Sequence, residues 1–121
     1  MRKILLALAL VASAPSVFGD SDTRQVLMVR GAGNSTCAQY LEATNNGAAA
    51  SAAFEQWLDG YITARNQTSP EVLDYAGAVS QAGLSAGIAN YCRGRLQAKY
   101  YEAADALLLD LAKSGRVKLL K

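Results

Sequence analysis

Histidine is missing from all 121 residues. Its absence takes away the usual general base of a nucleophile–base pair and the commonest metal ligand. Cysteine is nearly as scarce: Cys37 and Cys92 stand alone, and without histidine beside them they offer little to a metal. Long apolar runs are lacking too. The leading one, Ile4 to Val11, falls well short of the roughly 20 residues that a membrane-spanning helix needs. Internal repeats and low-complexity linkers do not occur either, so nothing divides the chain into further parts.

What is present begins with a leader. Residues 1–19, MRKILLALALVASAPSVFG, join a basic start at Arg2 and Lys3 to an apolar run and then small residues, the pattern of a secretory signal peptide. Pro15 soon after the run weighs against the competing reading, a membrane anchor. Cleavage is expected after Ala14 or after Gly19. Proline just past a cut hinders it, so the second site is preferred and the mature chain runs over 20–121, the size of one domain. The full chain carries 12 basic and 10 acidic residues, and losing Arg2 and Lys3 brings the net charge from +2 to about zero. Dispersed, balanced charge gives no footprint for nucleic acid. The one local asymmetry is Lys113, Arg116, Lys118 and Lys121, with no acid after Asp110, which reads as a solubilising basic tail. Stable membrane insertion is not expected once the leader is gone.

Export decides the cysteines. An isolated pair in an oxidising compartment has one intramolecular choice, so Cys37 and Cys92 are expected to form a disulfide. They lie 55 positions apart, and in the chain-entropy account closing such a loop stabilises the fold by about 4 kcal/mol.

Helical periodicity dominates the rest. Residues 20–34 form a polar arm with a β-prone run, QVLMV at 25–29, and a turn at Gly31-Ala32-Gly33. That turn lacks the lysine of a phosphate loop and the spacing of a dinucleotide site, and reads as a flexible connection. Asn34, Ser35 and Thr36 cap a first helix from 35 or 36 to TNNG at 44–47. A second helix over 48–65 sets Phe54, Trp57, Leu58, Tyr61 and Ile62 at i, i+3, i+4, i+7 and i+8. This aromatic face is expected to be a core face first and a partner-binding stripe second, and Gly60 within it is expected to let a neighbour pack close. Glu55 and Asp59, one turn apart, belong to its solvated side rather than to a catalytic dyad. Ser69-Pro70-Glu71 has the order of a third helix start, with a stripe of Val72, Tyr75, Ala76 and Val79 weakened by Gly77 and Gly83. A fourth helix follows from Leu84 through Ile88, Tyr91 and Cys92 to Gly94. A fifth, from Ala98 to Lys113, turns Tyr101, Ala104, Leu108 and Leu111 inward and keeps Leu107 beside them. The fold class expected is all-α: a small single-domain bundle of about four to five helices, with at most one short strand, stapled by one disulfide.

With the cysteines placed, NSTCAQYLEA at 34–43, the aromatic helix, and GIANYCRGRLQAKYYEAADALL at 87–108 resemble the HdeA/HdeB acid-stress chaperone family over residues 34–112. The specific part is the N-S-T-C start and the A-N-Y-C segment with its following amphipathic helix. Residues 67–83 depart from the family pattern in being glycine-broken and little charged. The resemblance implies a periplasmic protein; the missing histidine and the cysteines expected to be oxidised argue against an enzyme, and neither cofactor nor metal is expected. It implies a homodimer, folded and inactive near neutral pH, that exposes apolar surface in acid to hold unfolding proteins. The face of Phe54, Trp57, Leu58, Tyr61 and Ile62 would then be the surface released. Immunity proteins that neutralise secreted cell-wall amidases share the same general look, and imply the alternative of one specific enzyme as partner.

Overall fold

The computed structural model describes residues 28–121; the leader, its cleavage sites and residues 20–27 of the arm, with most of the QVLMV run, lie outside them. A 3-10 turn, Gly31–Asn34, precedes four α-helices: α1 (Cys37–Asn45), α2 (Ala48–Thr68), α3 (Gln81–Arg93) and α4 (Tyr100–Lys113). Strand β1 (Val72–Asp74) lies between α2 and α3 and pairs antiparallel with β2 (Lys118–Leu119), which follows α4. The molecule is a small helical bundle with one disulfide, Cys37–Cys92, joining the start of α1 to the end of α3 at a Cα separation of 4.9 Å.

Local chemistry explains most boundaries. Thr36 caps α1 through a reciprocal pair: its Oγ1 accepts from the Gln39 amide, and its own amide donates to Gln39 Oε1, so two otherwise unpaired donors are satisfied. Asn46 and Gly47, the latter at φ 98°, turn the chain directly into α2. α4 closes in a Schellman arrangement: the Gly115 amide donates to the Ala112 carbonyl and the Arg116 amide to that of Leu111, with Gly115 at the left-handed position this requires.

The core draws on all four helices: Cys37 and Tyr40; Phe54, Leu58 and Ile62; Leu84, Ile88 and Cys92; Tyr100, Ala103, Ala104, Leu108 and Leu111. Tyr40, Phe54 and Tyr100 form a triangle with ring centroids 4.9 to 5.3 Å apart. Their buried hydroxyls are satisfied, Tyr40 donating to the Ser85 carbonyl and Tyr100 to that of Phe54. Backbone bonds stitch α1 to the approach of α4: the amides of Cys37 and Ala38 donate to the carbonyls of Ala98 and Leu96, and the Tyr100 amide to that of Ser35. The first turn of α1 thus finds acceptors for donors that a helix start leaves orphaned.

Five expectations need correction. Two short strands are present rather than at most one, because the segment after α4 returns to pair with residues 72–74. No helix starts at Ser69-Pro70-Glu71. Asn66 Oδ1 accepts from the Tyr75 amide, Asp74 Oδ1 accepts from the Ala76 amide and from Asn66 Nδ2, and Gly77 takes a positive φ against the Arg116 carbonyl. These bonds fold 69–79 into a loop and strand, and α3 starts instead at Ser80, whose Oγ accepts from the Gly83 amide. The basic tail is not merely a solubilising end, because Lys118 and Leu119 pair with β1. Gly60 has no neighbour within 4 Å, whereas Gly33 lies beneath the Trp57 ring and Gly87 against Leu107. Tyr100, not Tyr101, is the inward tyrosine of α4. The bonds of residues 35–38 to the segment 96–100 fix where α4 begins and so set its phase.

Candidate functional site

The five residues of the aromatic face fall into two groups. Phe54, Leu58 and Ile62 are buried, while Trp57 and Tyr61 are half-buried along the flank of α2. As read from the sequence, the face is core: in the closed bundle Phe54 and Leu58 are enclosed, and Ile62 shows only an edge to the groove beside β1. Cys37 and Cys92 are fully buried and bonded to each other.

The flank is roofed. The Trp57 indole lies almost parallel to the Tyr61 ring, centroids 5.1 Å apart, and meets Tyr100 edge-on at 5.7 Å. Its other side receives the 3-10 turn. Trp57 Nε1 donates to the Arg30 carbonyl at 2.9 Å, and Gly33 comes so close that any Cβ would enter the ring. The glycine turn that reads as a flexible connection is therefore the lid of the aromatic ridge. Its signal was available in Gly-Ala-Gly, but only the folded chain brings residue 33 to residue 57.

Next to this lid stands a polar clamp. The Tyr61 hydroxyl donates to Asp105 on α4, and Arg65 Nη1 donates to both the same carboxylate, at 3.1 Å, and the Tyr61 oxygen, at 3.2 Å. The Arg65 guanidinium also lies over the Tyr61 and Tyr75 rings, 5.9 and 5.5 Å from their centroids. Burial, reinforced by the bond to Asp105, pushes the Tyr61 hydroxyl up to about 12. Burial likewise raises Tyr40 and, more strongly, Tyr100, whereas Tyr75 is lowered by its bonds to Ser69 and Arg65. Sequence periodicity did not single out Arg65 or Asp105, because their meeting depends on how α2 and α4 pack.

An open groove of about 470 Å³ runs between α2, β1 and the start of α3, with Asp59, Ile62, Asn66, Leu73, Asp74 and Leu84 along it. Glu55, paired with Asp59 in the sequence reading, accepts from Ser51 Oγ instead. Among the described residues no three His, Cys, Asp or Glu side chains gather as metal ligands, and no helix is long and apolar enough to cross a membrane. Comparison with protein-family models, curated proteins and solved structures returned no match.

Proposed function

We propose that the chain is an exported periplasmic protein-binding domain of the HdeA/HdeB type, closed near neutral pH and holding unfolding proteins in acid. One observation carries the reading: α2, which bears the aromatic ridge, is attached to the other helices by side chains alone. Among the described residues α2 makes no backbone hydrogen bond beyond its own turns, while the amides of Cys37 and Ala38 in α1 bond to the carbonyls of Ala98 and Leu96, that of Tyr100 in α4 bonds to the Ser35 carbonyl, and the disulfide joins α1 to α3. Two side-chain attachments of α2 end on carboxylates, Asp105 with Tyr61 and Arg65, and Asp74 with Asn66.

Acid acts on these ties directly. Protonation removes the charge that pairs with Arg65 and weakens Asp105 and Asp74 as acceptors. The acids of the mature chain become neutral while its basic residues stay charged, so the chain repels itself and a client complex stays soluble. The disulfide limits the opening to a parting of α2 from the stapled remainder, which would bare Phe54, Trp57, Leu58, Tyr61 and Ile62. The test is light scattering by several unrelated proteins stressed between pH 2 and pH 4. Suppressed aggregation supports the reading, and unchanged scattering for every client rejects it.

The groove beside Leu73 and Asp74 favours a second reading, since it is open without any change in the bundle. It suits an inhibitor that binds one secreted cell-wall amidase at neutral pH. Such an inhibitor would bind that enzyme tightly and leave acid-stressed clients unprotected.

A further inference from the structure

We propose that Asn46 is a site of spontaneous covalent modification: in the folded protein it sheds its side-chain amide as ammonia and becomes aspartate or isoaspartate in the link between α1 and α2. Asparagine is among the chemically labile residues, and the chain has five, Asn34, Asn45, Asn46, Asn66 and Asn90. The reaction asks the same of each. The backbone nitrogen of the next residue must reach the side-chain Cγ, so it must be free of a hydrogen bond and the chain around it must be able to turn.

The fold denies this to four of them. After Asn34 the Ser35 amide donates to the Ala32 carbonyl, and after Asn45 the Asn46 amide donates to the carbonyls of Glu42 and Ala43. Asn66 and Asn90 lie inside α2 and α3, where the following amides belong to the helical ladder. Their side chains are engaged as well, Asn66 with Asp74 and the Tyr75 amide, Asn90 with Arg93. Asn46 is different. It is exposed, and the next amide, that of Gly47, donates to no main-chain carbonyl. Gly47 takes φ 98°, with nothing within 4 Å of the place a Cβ would occupy, so no side chain obstructs the approach and the backbone is free to rotate. Asp59-Gly60 offers a similar pair of residues, yet it lies within α2 and its glycine amide is held in the helix. The fold, and not the following glycine alone, selects position 46.

The step needs only water. The Gly47 nitrogen attacks Cγ of Asn46; the new N–Cγ bond forms as the Cγ–Nδ2 bond breaks, and the proton from the glycine nitrogen leaves with the amide as ammonia. Water then opens the cyclic imide at either carbonyl. Opening at Cγ restores the original backbone and leaves aspartate, whereas opening at the main-chain carbonyl leaves isoaspartate, with the backbone rerouted through the side chain. One water is consumed, one ammonia is released, and nothing is oxidised or reduced. Either product adds a negative charge. Isoaspartate also lengthens by one carbon a connection made of Asn46 and Gly47 alone. The Gly47 carbonyl accepts the amides of Ala50 and Ser51, so the added carbon unsettles the first turn of α2. The modification therefore dates the molecule at the root of the helix that bears the aromatic ridge.

The experiment is incubation of the folded protein in mildly alkaline buffer, followed by peptide mapping with fragmentation that separates Asn45 from Asn46. Isoaspartate is counted by methyl transfer from labelled S-adenosylmethionine with an isoaspartyl methyltransferase. Asn46 should convert to the acid about tenfold or more faster than Asn34, Asn45, Asn66 or Asn90, and the methyl label should map to position 46. Asn46→Gln, whose longer side chain closes the ring poorly, should lose most of the label at an unchanged melting temperature. In the aged protein, hydrogen exchange should quicken at Ala50 and Ser51 and stay unchanged at Cys37 and Ala38. The mapping needs no variant, so it decides the matter even if the substitution disturbs the turn. Conversion of Asn46 no faster than that of Asn90, label at Asp59 in place of position 46, or full labelling of a folded Asn46→Gln would overturn the proposal.

Discussion

The helices of this bundle are held in two different ways. α1 and α3 share a disulfide, and the amides of Cys37, Ala38 and Tyr100 bond to main-chain carbonyls across the junction of α1 with the start of α4. None of these links contains a group that titrates between pH 2 and pH 9. α2 is held by apolar contact, by the Trp57 bond to Arg30, by the Tyr100 bond to the Phe54 carbonyl, and by side-chain pairs that end on Asp105 and Asp74. The contrast singles out α2 as the helix that the proposed opening would release: two of its polar attachments end on carboxylates, and none of the links among α1, α3 and α4 does.

Four perturbations probe that contrast. Reducing the disulfide, or Cys37→Ala, removes the covalent half of the stapled side and should cost about 4 kcal/mol, read as a large drop in melting temperature. Equal melting with and without reductant would show that the staple contributes little. Gly33→Ala attacks the α2 side by driving a methyl group into the Trp57 ring. Overpacking of this kind costs about 1–3 kcal/mol, and Trp57 emission should move to the red as the lid lifts. Asp74→Ala removes the acceptor for Asn66 and the Ala76 amide, at about 1 kcal/mol. Hydrogen exchange should quicken at Tyr75 and Ala76 and stay unchanged at Cys37 and Ala38; equal acceleration at both places would erase the distinction.

The smallest effect concerns alkali. An unfolded tyrosine loses its proton near pH 10, whereas Tyr61 in the fold is pushed up to about 12. The folded state therefore binds the proton more tightly. Its contribution is whole below pH 10 and is lost as pH rises through 10 toward 12. Urea midpoints should be level from pH 7 to 9 and then fall, with a shallower fall in Tyr61→Phe.

Much of the architecture was legible in the chain because its causes are local. Asn34, Ser35 and Thr36 mark the start of α1, the alanine-rich run leads into α2, Lys113 and Gly115 end α4, and a lone cysteine pair has one intramolecular partner choice. What was not legible arises from distant contacts. Ser69-Pro70-Glu71 has every local mark of a helix start, yet Asn66, Asp74 and the Arg116 carbonyl against Gly77 draw 69–79 into a loop and strand. Gly60 and Gly33 are equally plain glycines in the sequence, and only packing decides that Gly33 meets an indole while Gly60 meets solvent. Tyr100 and Tyr101 are both compatible with an inward stripe until the bonds of 35–38 fix the phase of α4. The clamp of Tyr61, Arg65 and Asp105 joins residues 40 or more positions apart, beyond the reach of any periodicity.

Trp57 is the only tryptophan, so its fluorescence reports on α2 without labels. Titrated from pH 7 to pH 2 with the disulfide intact, its emission should shift to the red, while the amides of Cys37, Ala38 and Tyr100 remain protected from exchange. An emission spectrum unchanged down to pH 2, or loss of protection at those three amides together with the shift, would contradict a bundle in which acid frees one helix from a stapled remainder.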